Sequence, residues 1–366
     1  MFYSVKNFNI FKNKTIIITG NTGFKGSWLS LWLKFLGAKI VGISKDIPTK
    51  PSNFQITKLN KDIKNYKCDL KNYIELKKII LKNQPDFFFH LAAQALVKKS
   101  YKDPLGTWNS NLIGTVNILE SLRFLNKKCT VVIITSDKSY RNLEIKRGYV
   151  ENDELGGYDP YSASKGAAEF AIRSYVKSYF DKKNKIRIAI ARAGNVIGGG
   201  DWSDNRLIPD CIKCWSSNYK AKIRNPNSTR PWQNVLEALS GYILLAVKLN
   251  SNSILHGEVF NFGPNNRHNY SVKSLLSEIK NIWPSIKWLI VKDKNKHKES
   301  NLLKLNCKKA KKELNWKSIL TFKENIKMTI EWYKFYYNKK NKTKIRKFSE
   351  NQIKKFSKLI QERSKK

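Results

Sequence analysis

The chain has 366 residues, of which 41% are hydrophobic and 10 are Trp, enough for a full core and for a main domain with a smaller lobe, and too apolar for global disorder. Its formal charge of +42 is carried by Lys dispersed among Asn and Ile rather than by clustered Arg, a pattern of solvated surface that argues against a specific nucleic-acid partner. No apolar run approaches the ~20 residues that cross a bilayer, and Met1-Phe2-Tyr3-Ser4-Val5-Lys6 lacks the apolar centre of a signal peptide, so the cytoplasm is the expected compartment.

Lys14 to Thr19 reads as a first strand, and Gly20-Asn21-Thr22-Gly23-Phe24-Lys25-Gly26 turns it into a helix beginning near Ser27-Trp28-Leu29. Glycines at that turn let backbone N–H groups approach a pyrophosphate at the helix N-terminus, although the spacing is G-x-x-G-x-x-G rather than G-x-G-x-x-G. A second strand, Lys39 to Ser44, leads into Ser44-Lys45-Asp46, where Asp46 suits the ribose of NAD and Lys45 would suit a 2′-phosphate; NAD is the preferred expectation. Cys68-Asp69-Leu70 closes a short third strand, with Asp69 placed to reach an adenine amine or simply to face solvent. In the fourth strand, Asp86 to Gln94, the small Ala92 and Ala93 admit a cofactor against the backbone, and His90 inside the apolar run reads as a core histidine.

The apolar, β-branched run Val131 to Thr135 is the central buried parallel strand, and it delivers Ser136-Asp137-Lys138 to the carboxyl edge where open α/β sheets bind ligands. Tyr161 and Lys165 stand four apart at the start of a helix reaching about Phe180, so they share one face. A phenol with a reference pKa of about 10 is a poor base unless a positive charge lies beside it, and Lys165 supplies one. With Ser136 bonded to the same oxygen, the set can take a proton from an alcohol while its carbon gives a hydride to a nicotinamide.

Ile186 to Arg192 makes the next strand, followed by the glycine-dense Ala193 to Trp202 on the same edge. Beyond it the β/α alternation stops. Arg206-Leu207 and the segments around Arg224 and Arg230 belong to a second lobe, the latter two as candidate diphosphate clamps. Val259 to Pro264 reads as a strand returning to the first lobe, Trp288 to Val291 as a further strand, and Lys308 to Leu314 and Phe322 to Tyr337 as helices. Past Asn338 the composition shifts to Lys; Phe348, Ile353, Phe356 and Leu359 or Ile360 are spaced as a short basic amphipathic helix, but a solvated basic tail is expected. The expected division is thus a dinucleotide-binding domain over 1–197 plus about 240–263, a lobe over 198–239 and 264–337, and a tail over 338–366. The five Cys suggest free thiols, Cys211-Ile212-Lys213-Cys214 lacks a second ligand pair, and the four His are scattered, so no metal site is expected.

Together the glycine turn and Tyr161-x-x-x-Lys165 resemble the extended short-chain dehydrogenase/reductase family of nucleotide-sugar enzymes, and the resemblance implies a Rossmann-type doubly wound parallel α/β sheet with a smaller C-terminal substrate-binding lobe. More narrowly, Thr22 to Leu29, Thr135 to Lys138, Gly156 to Ser162, Arg192 to Trp202 and Thr229 to Gln233 are similar to the CDP-glucose 4,6-dehydratases, over about Lys14 to Tyr336. Asn21, Ser139 and Arg141 depart from that pattern. The resemblance implies dehydration of CDP-glucose to the 4-keto-6-deoxy sugar nucleotide with NAD as resident cofactor, and a homodimer. It implies NAD contacts from Gly20, Thr22, Gly23, Phe24, Gly26, Asp69, Leu70, Ala92, Ala93, Tyr161 and Lys165, and substrate contacts from Ser136, Asn195, Arg206, Leu207, Arg224 and Arg230. Catalytic roles fall to Tyr161 as base at the C4 hydroxyl, Lys165 beside it, Ser136 on the C4 oxygen, Asp137 as acid at the C6 hydroxyl and Lys138 as base at C5, with water as the alternative base. An epimerase or a dehydratase of another sugar nucleotide is the enzymatic alternative. From other classes come a non-catalytic nucleotide sensor and a polyanion-binding module.

Overall fold

Runs of Ile, Val and Phe buried on both faces explain why the central strands pair in parallel and why the helices between them must cover the sheet from both sides. The computed structural model describes residues 5–181, 185–264, 270–291 and 303–364. Its seven-stranded sheet is wholly parallel: β1 (Thr15–Thr19), β2 (Lys39–Ser44), β3 (Lys64–Lys67), β4 (Phe87–His90), β5 (Cys129–Ile134), β6 (Ile186–Ala193) and β7 (Val259–Phe262), in spatial order β7-β6-β5-β4-β1-β2-β3. The order reverses between β1 and β4, which opens a crevice at their carboxyl ends. This is the doubly wound α/β sheet that the sequence suggests.

The helices that matter for the site are α1 (Phe24–Phe35), α2 (Pro160–Ser178) and α3 (Val235–Ser251). Asp159 caps α2, its carboxylate accepting from the Ser162 N–H at 3.0 Å, and Pro160 fills the first turn where no N–H is needed. That cap sets the rotation of the helix, and hence the direction in which Tyr161 and Lys165 leave it. Helix α1 begins at Phe24, three residues before the expected Ser27, so Phe24 and Lys25 belong to its first turn rather than to the loop. His90 is a core histidine, as expected: its ring nitrogens meet Thr19 Oγ1 at 2.7 Å and Thr115 Oγ1 at 3.0 Å.

Short two-stranded pairs build the region beyond β6: Val196–Ile197 with Gln233–Asn234, Thr229–Arg230 with Tyr270–Ser271, and Ala221–Ile223 with Trp288–Ile290. The expected strand at Trp288 therefore exists outside the main sheet. Past Asn338 the expectation of a solvated tail is corrected. Ile345–Arg363 forms a helix, α5, that returns to the body beside α4 (Phe322–Tyr337), with Ile345, Ile353, Phe356 and Ile360 fully buried. Phe356 meets Trp32 edge-on at 5.9 Å, Trp332 Nε1 donates to Ser349 Oγ at 2.8 Å, and Arg363 Nη2 donates to Glu324 Oε1 at 2.7 Å. The apolar stripe outweighed the lysines because their charges sit on the opposite, solvated face.

Candidate active site

At the crevice, Gly20 takes φ +72° so that β1 can turn sharply; a Cβ there would stand 2.8 Å from the Ala92 backbone, and one on Gly26 would stand 2.0 Å from the Gly20 carbonyl oxygen. The turn leaves no room for side chains between β1, β4 and α1. Gly23 is the N-cap of α1 and has no side chain to occupy the first-turn N–H groups, which remain available to an anion. Thr22 Oγ1 donates to the Asp46 carbonyl at 2.6 Å, and Ser44 Oγ donates to Asn21 Oδ1 at 2.7 Å, fixing the loop against the end of β2. Asp69 lies beyond β3 and is ion-paired with Lys45 at 3.1 Å, so the cation that could have received a 2′-phosphate is already engaged by a carboxylate. These residues fit a dinucleotide: a glycine cradle for its pyrophosphate and a carboxylate edge for its adenosine.

One strand further along, the end of β5 brings Ser136 and Asp137 into the same crevice, both buried, with Lys138 half-buried beside them. Ser136 Oγ donates to Asp137 Oδ1 at 3.0 Å and accepts from the Lys138 N–H at 3.2 Å. Burial raises the Asp137 carboxyl above the usual carboxylate range, with Lys138, Ser136 and Lys25 pulling the other way. The carboxyl therefore holds a proton more firmly than an exposed aspartate does, which suits an acid.

Helix α2 supplies Tyr161 and Lys165, both under a tenth exposed. Burial pushes the Tyr161 phenol up to about 12, opposed by a hydrogen bond with Ser136. Burial also brings the Lys165 amine down to about 8, with Glu169 one turn below it holding the charge in place. Ser136 and the charge of Arg206 pull the phenol down against burial, while Asp137 pushes it up.

Leu207 opens the helix Leu207–Ser216, and Arg206, its N-cap, is ion-paired with Asp201 at 3.0 Å. Arg206 acts electrostatically on Tyr161, which places it at the site. Asn195 is exposed at the exit of β6, Arg230 half-buried in the Thr229–Arg230 strand, and Arg224 exposed past Ala221–Ile223; no described contact joins these three to the catalytic group. Sequence reasoning missed Lys25 and Tyr242. Lys25 Nζ donates to the Tyr242 hydroxyl at 3.5 Å, with Asp137, Arg206 and Lys165 as the charges acting on it. The signal was the glycine spacing itself, since starting the helix three residues earlier turns Lys25 inward.

The profile of the family described as GDP-mannose 4,6 dehydratase matches residues 17–329. The chain belongs to this family of nucleotide-sugar dehydratases. A family relative, the CDP-glucose 4,6-dehydratase of Salmonella typhimurium, is 41% identical over 331 residues, covering 89% of this chain and 92% of that protein. Among solved structures, the epimerase Mth375 of Methanothermobacter thermautotrophicus superposes with a TM-score of 0.79 at 21% identity, covering 94% of this chain and 97% of that one. The dTDP-glucose 4,6-dehydratase of Bacillus anthracis, solved in complex with NAD, gives 0.73 at 21% identity, covering 91% and 99%. These two share the fold. Among the described residues no helix is long and apolar enough to cross a membrane, and no group of His, Cys, Asp or Glu is placed to hold a metal ion.

Proposed function

We propose that this dehydratase removes water from CDP-glucose to give CDP-4-keto-6-deoxyglucose, using a resident NAD. The observation that carries the reading is the joining of two functional pairs in one crevice: Tyr161 with Ser136, suited to an alcohol proton, and Asp137 with Lys138, suited to an elimination. The glycine turn of Gly20, Gly23 and Gly26 at the N-terminus of α1 would hold NAD, which would supply the hydride chemistry of a reaction that is redox-neutral overall.

The chain's own residues do the rest. Tyr161 receives the C4 hydroxyl proton and Ser136 holds the C4 oxygen. Once C4 is a ketone, the C5 hydrogen is acidic, and Lys138, half-buried at the turn after β5, is the base that takes it. Asp137 gives its proton to the C6 hydroxyl, which leaves as water, and burial raises the proton affinity of this carboxyl above that of an exposed aspartate. An epimerase needs no acid and base beyond the Tyr161 and Ser136 pair, so Asp137 and Lys138 favour elimination.

The choice of cytidine rests on the likeness to the Salmonella typhimurium protein. Incubation with CDP-, dTDP-, UDP- and GDP-sugars tests it: mass spectrometry should show loss of one water from CDP-glucose without release of reduced cofactor. Epimerised sugar, or turnover of another nucleotide sugar alone, would overturn the reading. A homodimer is part of the same proposal. The helices Val97–Lys102, Pro104–Trp108 and Gly114–Arg123 lie about α2, and Tyr101, Leu105, Ile113 and Phe170 stand exposed in this region. A monomeric mass in solution would remove it. A cytoplasmic location is supported by the free thiols of all five Cys and by the cofactor.

A further inference from the structure

Lys25 has no role in the reading above, yet its surroundings tie it to the acid of the reaction. The first turn of α1 packs against the loop after β6: a Cβ on Gly198 would meet Phe24 Cζ at 3.2 Å and Val235 Cγ1 of α3 at 2.7 Å. Asp137 packs against the other end of the same loop, where a Cβ on Gly194 would stand 2.8 Å from Asp137 Oδ2. Tyr242 lies seven residues after Val235 and so on the same face of α3. Its buried hydroxyl receives the Lys25 ammonium at 3.5 Å, and Asp137 and Tyr161 are the groups whose charges reach that hydroxyl. Asp137 Oδ1 is taken by Ser136, so Oδ2 is the oxygen turned to the loop that α1 covers.

We propose that Lys25 is a positioning residue for the elimination: its ammonium, held by Tyr242 across the Gly194 to Gly198 loop, stabilises the carboxylate formed when Asp137 hands its proton to the departing C6 hydroxyl. The proton balance is simple. The Asp137 O–H bond breaks, the C6–O bond breaks as water leaves, and the new negative charge on Asp137 faces a cation already in place, so the transition state gains more than the neutral acid does. The groups facing Asp137 are Lys138, Ser136 and Lys25, with the Tyr161 and Tyr242 hydroxyls within reach of its charge, and those facing Lys25 are Arg206, Asp137, Lys165 and the Tyr242 hydroxyl. Burial brings the Lys25 amine down to about 8, Arg206 and Lys165 pulling the same way and Asp137 opposing, so the cation is present at neutral pH and is lost in mild alkali.

This inference rests on Asp137 being the acid, and the experiment separates the two ideas. The Asp137 carboxyl is titrated by infrared difference spectroscopy in the full-length protein and in Lys25→Met, with Asp137→Asn to assign the band. Removing the cation should raise the proton affinity of Asp137 by about tenfold or more, a change read without turnover; an unchanged titration overturns the inference. With CDP-glucose, Lys25→Met should lower kcat by roughly 10- to 100-fold, leave KM within about threefold, and return substrate carrying solvent deuterium at C5. Lys25→Arg should recover much of kcat. A loss confined to KM or to NAD retention overturns the inference in favour of a binding role. Wild-type protein that leaves CDP-glucose unchanged defeats the functional reading instead, while the titration still judges the pairing.

Discussion

Two clusters of buried charge lie one helical turn apart on α2, and they are built in opposite ways. In the lower one, Arg192 is fully buried: its Nη2 donates to Glu169 Oε2 at 2.5 Å, its Nε to Glu169 Oε1 at 2.8 Å and its Nη1 to the Glu151 carbonyl at 3.0 Å. Thr135 Oγ1 donates to Glu169 Oε1 at 2.7 Å, and the guanidinium lies 4.4 Å over the Tyr140 ring. Charge and hydrogen bonds are both answered within the cluster. In the upper one, Lys25, Asp137, Tyr161 and Lys165 are each moved by burial towards their neutral forms. A closed pair holds strand to helix. An open set keeps protons mobile and pays in stability.

The sharpest way to break the comparison is to remove one member of the closed pair. Arg192→Ala leaves Glu169 buried without its partner and should lower the unfolding free energy by roughly 3–5 kcal/mol, measured by denaturant titration; a change below about 1 kcal/mol would mean the pair is not the structural element described.

Lys165→Met tests the open set and should act in the reverse sense, removing activity while adding stability. The folded-state amine sits at about 8, below its ordinary 10.5, so between those values the unfolded chain binds more protons and stability rises with pH. Below pH 8 the charged amine is a cost on the order of 3 kcal/mol. The variant should therefore be more stable than the wild type by up to that amount at pH 7. Its advantage should shrink from pH 8 to 10.5 and vanish above. A difference independent of pH would show that the amine is not charged at a cost.

Smallest is the effect at a pair neither closed nor catalytic. Arg363 meets Glu324 where both are about a third exposed, and this pairing holds the Glu324 carboxyl down at about 2. A lowered carboxyl contributes above its unfolded value, and the contribution is lost as pH falls through about 2. Arg363→Met should then cost only about 0.5 kcal/mol at pH 7 after solvent screening, with the difference fading below pH 4.

The sequence by itself determined the sheet and the chemistry at its edge. Apolar β-branched runs of strand length, a glycine turn after the first, and Tyr161 four residues before Lys165 depend on local periodicity, which needs no knowledge of what packs where. Only the tertiary structure decided what each charge faces. Lys25 lies in the glycine spacing like any loop residue until α1 starts at Phe24 and points it to Tyr242, more than two hundred residues away. Arg192 reads as the end of a strand until Glu169 closes on it. The last helix reads as a lysine-rich tail until Trp32 and Trp332 receive Phe356 and Ser349. Desolvation and pairing belong to contacts between distant segments, and the order of residues along one segment does not encode them.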